Sequence, residues 1–279
     1  MLALAISLAS GLSWGISDFL GGLQSRRIPV LAVLFVSQTA GLAFALALLP
    51  VIGADPLPPG KVLLAAGAGA AAIGGLGAFY RGLALGTMSI VAPVAALGVV
   101  VPVAVGLARG EDPGPVQLAG LVVAIVGVVV LSYEEDPGHA GAGRQSILLA
   151  LVAALGFGGF FTGLDLVATD RPGWAITFAR LGGIVVVVAA VILSRTELRG
   201  TRGAMPTLIA IGAFDITANT LFAIASTKGL LPVVAVGGSM YPAFTIALAH
   251  LVLGERLASA QRFGVLLALA GVLLIAGGT

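Results

Sequence analysis

The stretch that decides the fold is Gly238-Ser239-Met240-Tyr241-Pro242-Ala243-Phe244-Thr245-Ile246-Ala247-Leu248-Ala249-His250-Leu251-Val252-Leu253-Gly254-Glu255-Arg256. It is an apolar segment with a proline inside it, and it closes on a polar Gly-Glu-Arg turn. A similar segment runs upstream from Pro102 to Gly110-Glu111. The likeness indicates that the chain contains two copies of one unit.

The composition places most of the chain in lipid. Of the 279 residues, 59% are hydrophobic and 9% are charged, and the mean hydropathy is +1.13. Charged residues make up about 25% of an average soluble domain, so a water-soluble fold could not bury this much apolar side chain. The sequence therefore predicts an all-α polytopic membrane protein.

Apolar runs alternate with short polar or Gly/Pro breaks, and each run is close to the roughly 20 residues that cross the hydrocarbon core. The breaks at Gly86-Thr87 and Lys228-Gly229 are the least marked. We expect about ten transmembrane helices near residues 2-22, 29-51, 61-84, 88-108, 115-133, 146-168, 173-194, 204-227, 231-253 and 259-277.

A fixed spacing between matching residues supports a tandem duplication. Four pairs are 144 positions apart, namely Glu111 with Glu255, Gln117 with Gln261, Gly120 with Gly264 and Gly127 with Gly271. We expect one five-helix repeat over 1-134 and a second over 145-279. Because five is odd, the second repeat would enter the bilayer inverted, which is the 5+5 architecture of many secondary transporters.

Several motifs resemble one known family. They are Ser13-Trp14-Gly15, the Tyr241-Pro242 segment, the turn from Leu253 to Leu257, and Gln261 with the glycines that follow it. They are similar to the EamA-like branch of the drug/metabolite transporter superfamily. The resemblance implies ten helices around a central cavity and the movement of small metabolites, often amino acids or related compounds and commonly outward. Asp112-Pro113 departs from the usual Arg-Leu after the first Gly-Glu.

The polar residues inside the predicted helices are the candidates for chemistry, because such groups are costly in lipid and usually face a cavity or each other. Asp215 lies near the middle of the eighth span, and Asn219 shares its face one turn later. Asp215 would titrate a proton or bind a substrate amine. The alternative is a permanent pair with a neighbouring arginine.

Depth along the helices suggests two ion pairs that could act as gates. Asp18 and Arg81 reach one level near one face, and Asp165 and Arg180 reach another near the opposite face. Static pairs that only hold helices together are an equal alternative. Arg180 could instead reach Asp215, which would cancel the charge of that carboxylate.

Softer candidates could line a cavity with aromatic rings and hydrogen-bonding groups, or serve only as packing residues. These candidates are Trp14, Gln38, Tyr80, Ser239 and Tyr241. Glu255 and Arg256 are expected to cap helix ends.

A secondary transporter, most simply an exporter, accounts for the repeat, the interior charges and the resemblance together. An importer or uncoupled facilitator of the same fold is the alternative. An intramembrane enzyme is disfavoured because the sequence has no His-Glu-x-x-His motif, no cysteine and no clustered histidine, and a purely structural protein would not need intramembrane acids. We expect no cofactor, no metal and no nucleic acid. The expected partners are a small-molecule substrate and the lipid bilayer, in a monomer or homodimer.

Orientation gives two conflicting predictions. Basic residues are more frequent in the breaks opposite the termini, so the positive-inside rule predicts termini outside the cell. The family resemblance implies cytoplasmic termini of a multi-pass protein in the inner (plasma) membrane, and we follow it because an inverted repeat evens out the charge bias.

Overall fold

The structure, a computed structural model, describes residues 2–52, 57–110, 114–131, 140–167, 172–226, 228, 237–238 and 240–277. Within these ranges every regular element is helical, which confirms the predicted all-α class for them. The α-helices are α1 (Leu2–Ser25), α2 (Val30–Ile52), α3 (Pro59–Leu85), α4 (Met88–Ala96), α5 (Val100–Ala108), α6 (Pro115–Leu131), α7 (Ala140–Asp165), α8 (Pro172–Ser194), α9 (Met205–Ser226), α10 (Tyr241–Leu253) and α11 (Ser259–Gly277). Short 3-10 helices cover Leu97–Val99 and Arg199–Ala204.

In the described part of the chain, 6 helices are long and apolar enough to cross a membrane by length and composition. They lie within α1, α2, α3, α7, α8 and the segment Gly200–Ala225, which contains all of α9 except Ser226. The segments Pro115–Gly127, Tyr241–Leu253 and Arg262–Ile275 are apolar but shorter. The chain is therefore a multi-pass membrane protein, with fewer full-length helices among these residues than the ten expected spans.

The segment 88-108, which was expected to form one continuous span, is broken. The 3-10 helix at Leu97–Val99 separates α4 from α5. Pro93 lies inside α4 and has no backbone N–H to donate. A Cβ on Gly98 would lie 2.7 Å from the carbonyl oxygen of Ala154, so α7 presses closely on this break. The break predicted at Gly86-Thr87 is confirmed, whereas the one predicted at Lys228-Gly229 includes Gly229, which lies outside the described ranges.

Glycines bring neighbouring helices into backbone contact. A Cβ on Gly127 of α6 would lie 2.4 Å from the backbone nitrogen of Ala268 in α11. A Cβ on Gly156 of α7 would lie 2.6 Å from the Cα of Gly75 in α3. Such close contact matters in lipid, because van der Waals packing and hydrogen bonds hold helices together there in place of the hydrophobic effect.

Large apolar side chains face both inward and outward. Phe79 and Tyr80 of α3 are buried, and the Phe79 ring meets Phe157 of α7 edge-on with centroids 5.6 Å apart. Leu63 and Leu193 are 81% and 84% exposed. An outer surface this apolar is suited to acyl chains and not to water.

The Gly254-Glu255 turn ends α10 and caps α4. Gly254 has φ 67°, and its N–H donates to the carbonyl of His250 at 3.1 Å, while the N–H of Glu255 donates to Ala249 at 3.4 Å. The helix thus ends on a residue in the left-handed backbone conformation, which glycine favours. The turn places the Glu255 carboxylate at the first turn of α4.

The Glu255 carboxylate satisfies the start of α4. It accepts hydrogen bonds from the backbone N–H of Met88 at 3.2 Å and of Ser89 at 3.1 Å, and from the Ser89 hydroxyl at 3.0 Å. Arg26, after α1, donates to the same carboxylate at 3.4 Å. A carboxylate is favoured there by the unpaired N–H groups and the positive end of the helix dipole. The expectation that Glu255 caps a helix end is confirmed.

We predict that Gly127→Ala destabilises the protein by about 1–3 kcal/mol, because the added methyl group must displace the α11 backbone. The matched control is Gly74→Ala, since nothing lies within 4 Å of a Cβ at Gly74. Thermal unfolding of both purified variants in detergent checks this. Equal melting temperatures for the two variants would contradict the close contact of α6 with α11.

We predict that Glu255→Ala costs about 1 kcal/mol, the usual effect of losing a helix cap. Hydrogen exchange should become faster at the amides of Met88 and Ser89. Arg256→Ala is the control, because Arg256 is exposed in the same turn. If exchange at α4 is the same in both variants, Glu255 does not hold the start of this helix.

Candidate functional site

A row of serines joins α1 to α9. Ser10, Ser13 and Ser17 share one face of α1, and their hydroxyls donate to backbone carbonyls of α9. The acceptors are Ala218 at 2.7 Å, Phe214 at 2.8 Å and Ile211 at 3.0 Å, in that order. Since the acceptor numbers fall as the donor numbers rise, the two helices run antiparallel. This row sets the level of Asp18 on α1 relative to Asp215 on α9.

A buried ion pair lies at that level. A guanidinium nitrogen of Arg180, on α8, contacts a carboxylate oxygen of Asp215 at 2.5 Å. The Arg180 side chain is 8% exposed and that of Asp215 is 20% exposed. Arg180 also donates to the amide oxygen of Gln38, on α2, at 2.5 Å. The guanidinium therefore ties three helices together and neutralises the Asp215 carboxylate.

Asn219 supports Asp215 from one turn further along α9. Its side-chain nitrogen donates to the backbone carbonyl of Asp215 at 2.7 Å and lies 3.5 Å from one carboxylate oxygen. The shared helix face predicted for these two residues is confirmed. Gly41 of α2 leaves room for the guanidinium, because a Cβ there would lie 3.3 Å from an Arg180 nitrogen.

Asp18 and two tyrosines complete the cluster. Asp18 is 8% exposed and lies within electrostatic range of Asp215. Tyr80 lies in the range of Asp18, Asp215 and Arg180, and its ring covers Gly21 on α1, where a Cβ would clash with it. Tyr241, at the start of α10, lies within range of Asp18. Residues from six helices thus meet around two carboxyl groups and one guanidinium.

An aromatic pair lies beside the charges. Trp14, one turn before Asp18 on α1, has its ring centroid 5.8 Å from that of Phe222 on α9. Gly238 packs against both rings, since a Cβ there would lie 2.8 Å from Phe222 and 3.6 Å from Trp14. The pair forms an apolar wall next to a charged centre.

The structure brings together most of the residues that the sequence singled out. Asp215, Asn219, Arg180 and Gln38 are in direct contact, and Asp18, Tyr80 and Tyr241 lie around them. Arg180 pairs with Asp215, which was the alternative considered for it. Ser239 and the side chain of Asp165 lie outside the described part, so a contact between Asp165 and Arg180 stays a prediction.

Arg81 is not part of the cluster. It is exposed, and no ion pair joins it to Asp18 in the described ranges. Tyr80 points its ring at α1, and the next residue on a helix is rotated by about 100°. The pairing of Asp18 with Arg81 was predicted from their similar depth, but Arg81 points in another direction around the axis of α3.

The serine row was not among the features predicted from the sequence. Its spacing, three and then four residues apart, is that of one helix face and could have marked the contact with another helix. Ser17 is part of the charged cluster as well, because it lies beside the Tyr80 hydroxyl.

An apolar helical bundle with charges at its centre defines a polytopic membrane protein with an internal polar site. The EamA-like transporter family matches residues 1–133 and 144–277. The chain belongs to this family, and its two matched segments cover nearly all of it. The resemblance stated from the motifs is thereby confirmed.

Comparison with solved structures supports the fold. Of these, 22 chains match. One is a crystal structure of a protein with a TM-score of 0.67 and 17% sequence identity, and the match covers 98% of this chain and 96% of that one. A search among curated proteins gave no match.

We predict that Asp215→Asn lowers stability by about 3 kcal/mol, because the buried Arg180 guanidinium loses its anionic partner. The double variant Arg180→Gln/Asp215→Asn should recover much of this loss, since it leaves no unpaired charge. A thermodynamic cycle of melting temperatures in detergent gives the coupling. Additive effects of the two substitutions would contradict the ion pair.

Proposed function

We propose that the chain is a secondary transporter that exports small metabolites, amino-acid-like or amphipathic drug-like compounds, by alternating access. The observation that carries the proposal is the buried cluster of Arg180, Asp215 and Gln38 inside the bundle of a transporter-family protein. Charged groups inside a membrane are costly and mark substrate or ion pathways. We do not assign it an enzymatic reaction.

The groups of the cluster suit the proposed substrates. A guanidinium and a carboxylate at one place offer a partner for each charge of a zwitterion, such as an amino acid. The apolar wall of Trp14 and Phe222 lies one helical turn from Asp18 and would take an apolar side chain. Asn219 and the two tyrosines would supply further hydrogen bonds.

We propose further that ten spans form a 5+5 inverted repeat, and the packing of the helices supports this. A Cβ on Gly120 would lie 2.9 Å from the carbonyl of Gly271, and one on Gly127 would lie 2.9 Å from the carbonyl of Gly264. The offset of 144 positions matches Gly120 with Gly264 and Gly127 with Gly271. The two contacts are therefore equivalent when the two repeats are exchanged. In the same way α1 packs on α9 and α3 on α7, while α2 packs on α9 and α3 on α8.

Coupling and direction are parts of the same proposal. Proton coupling through Asp215 stays a prediction, and it requires Arg180 to leave the carboxylate during the cycle. Import or uncoupled facilitation by the same fold is the second candidate, because none of the described site residues sets a direction. We place the protein in the inner (plasma) membrane with cytoplasmic termini, as a monomer or homodimer.

Transport assays on proteoliposomes test the function. Vesicles with the wild-type protein should take up a probe from a panel of radiolabelled amino acids and a fluorescent hydrophobic cation, with and without a pH gradient. Gln38→Ala should reduce the uptake roughly tenfold, the effect of losing about 1.4 kcal/mol of binding. Arg256→Ala, in an exposed turn, should transport like the wild type.

Two outcomes of these assays would count against the proposal. Uptake no greater than in protein-free vesicles for every probe would overturn transport of these compound classes. Equal uptake by the wild type and Gln38→Ala would show that the charged cluster does not line the substrate pathway.

A further inference from the structure

The charges at the centre of the bundle do not balance if every acid is ionised. Two carboxyl groups, those of Asp18 and Asp215, lie within electrostatic range of each other, and one guanidinium, that of Arg180, pairs with Asp215. Arg180 already forms an ion pair with Asp215, with 2.5 Å between a guanidinium nitrogen and a carboxylate oxygen. The cluster is electrically neutral only if one more positive charge joins it, and Asp18 is the group without a counter-ion.

No other charged group of the neighbouring helices balances Asp18. The helices that pack on α1 are α2, α3, α9 and α10. The described part of α2 has no ionisable residue, and α9 presents Asp215. On α3 the ionisable residue that faces Asp18 is Tyr80, since Arg81 is exposed. On α10 it is Tyr241, and His250 is exposed near the far end of that helix.

The Asp18 carboxyl is also free to receive a cation. In the described residues no hydrogen bond or ion pair engages it. Among the described residues, Ser25 carries the single side-chain polar atom that is both fully enclosed and without a partner. Since the Asp18 oxygens have no partner either, they are not fully enclosed.

We propose that Asp18 is a proton-binding site that neutralises the cluster and is the group that takes up and releases a proton during transport. An O–H bond forms on one carboxyl oxygen when a hydronium ion on one side of the membrane gives up a proton and leaves water. The same bond breaks when the oxygen reaches water on the other side. Arg180 and Asp215 remain ionised in this scheme, so Asp18 carries the proton in place of the coupling through Asp215 that the sequence suggested.

The proposed proton explains how an acid can stay in this position. An ionised carboxylate without a partner is strongly disfavoured in an apolar interior, and the neutral acid avoids that cost. A proton needs no extra space in the packed bundle. The inference rests on the proposed transport function only for the release step.

Infrared spectroscopy tests the site without any substrate. The purified wild-type protein in sodium-free buffer near neutral pH should show the carbonyl band of a neutral carboxyl group. The band should be lost in Asp18→Asn. It should remain in Glu255→Gln, which removes another acid, one already held by backbone N–H groups and Arg26.

Three outcomes of this experiment would overturn the proposal. The band could persist in Asp18→Asn, which would assign it to another acid. It could be absent from the wild type, which would mean that Asp18 is ionised. It could disappear when sodium is added, which would make the cation Na⁺ and not a proton. Because no transport is measured, these results are independent of the vesicle assays.

Stability gives a second readout that a purely structural role of Asp18 would not reproduce. Asparagine has the shape of the neutral acid, so Asp18→Asn should keep the melting temperature of the wild type. Asp215→Asn should melt lower, because it leaves Arg180 unpaired. If both variants melt equally low, Asp18 is an ionised member of the cluster and the proposal is wrong.

Discussion

The contact between α1 and α9 is the interaction on which the site depends. Three serine hydroxyls of α1 donate to carbonyls of α9 at distances of 2.7 to 3.0 Å. Each such bond in a membrane contributes about 0.6 kcal/mol and at most a few times that. Their larger effect is geometric, because a slip by one turn would move Asp18 away from Asp215 by about 5.4 Å.

The two matched segments of the chain resemble each other in packing but not in charge. With the offset of 143 positions that relates Gly86 to Gly229, Asp215 corresponds to Ala72, Asp18 to Phe161 and Arg180 to Ser37. Glycines and the Gly-Glu turns recur in both segments, whereas the charged cluster does not. Repeated residues thus build the scaffold, and unrepeated ones build the polar centre.

Much of this arrangement could be predicted from the sequence. Helix class, most helix ends and the shared face of Asp215 and Asn219 follow from hydropathy and helical periodicity. The stretch from Gly238 to Arg256 indicated a structural role for its Gly-Glu turn, and Glu255 does cap α4. What could not be predicted was direction around a helix axis, because depth alone placed Asp18 and Arg81 together. The break at Leu97–Val99 was missed because Pro93 and Pro102, on either side of it, are equally compatible with a continuous but kinked helix.

The capping of α4 by Glu255 has a consequence for the response of the protein to salt. The pair of Arg26 and Glu255 has side-chain exposures of 31% and 13%, and the pair of Arg180 and Asp215 has exposures of 8% and 20%. Mobile ions screen exposed charges over about 8 Å at physiological ionic strength and act much less on buried ones. Raising the salt concentration therefore weakens the contact of Arg26 with Glu255 more than the central pair, whose guanidinium is the less exposed of the two. Ionic strength can separate the loop contact from the polar centre without any substitution.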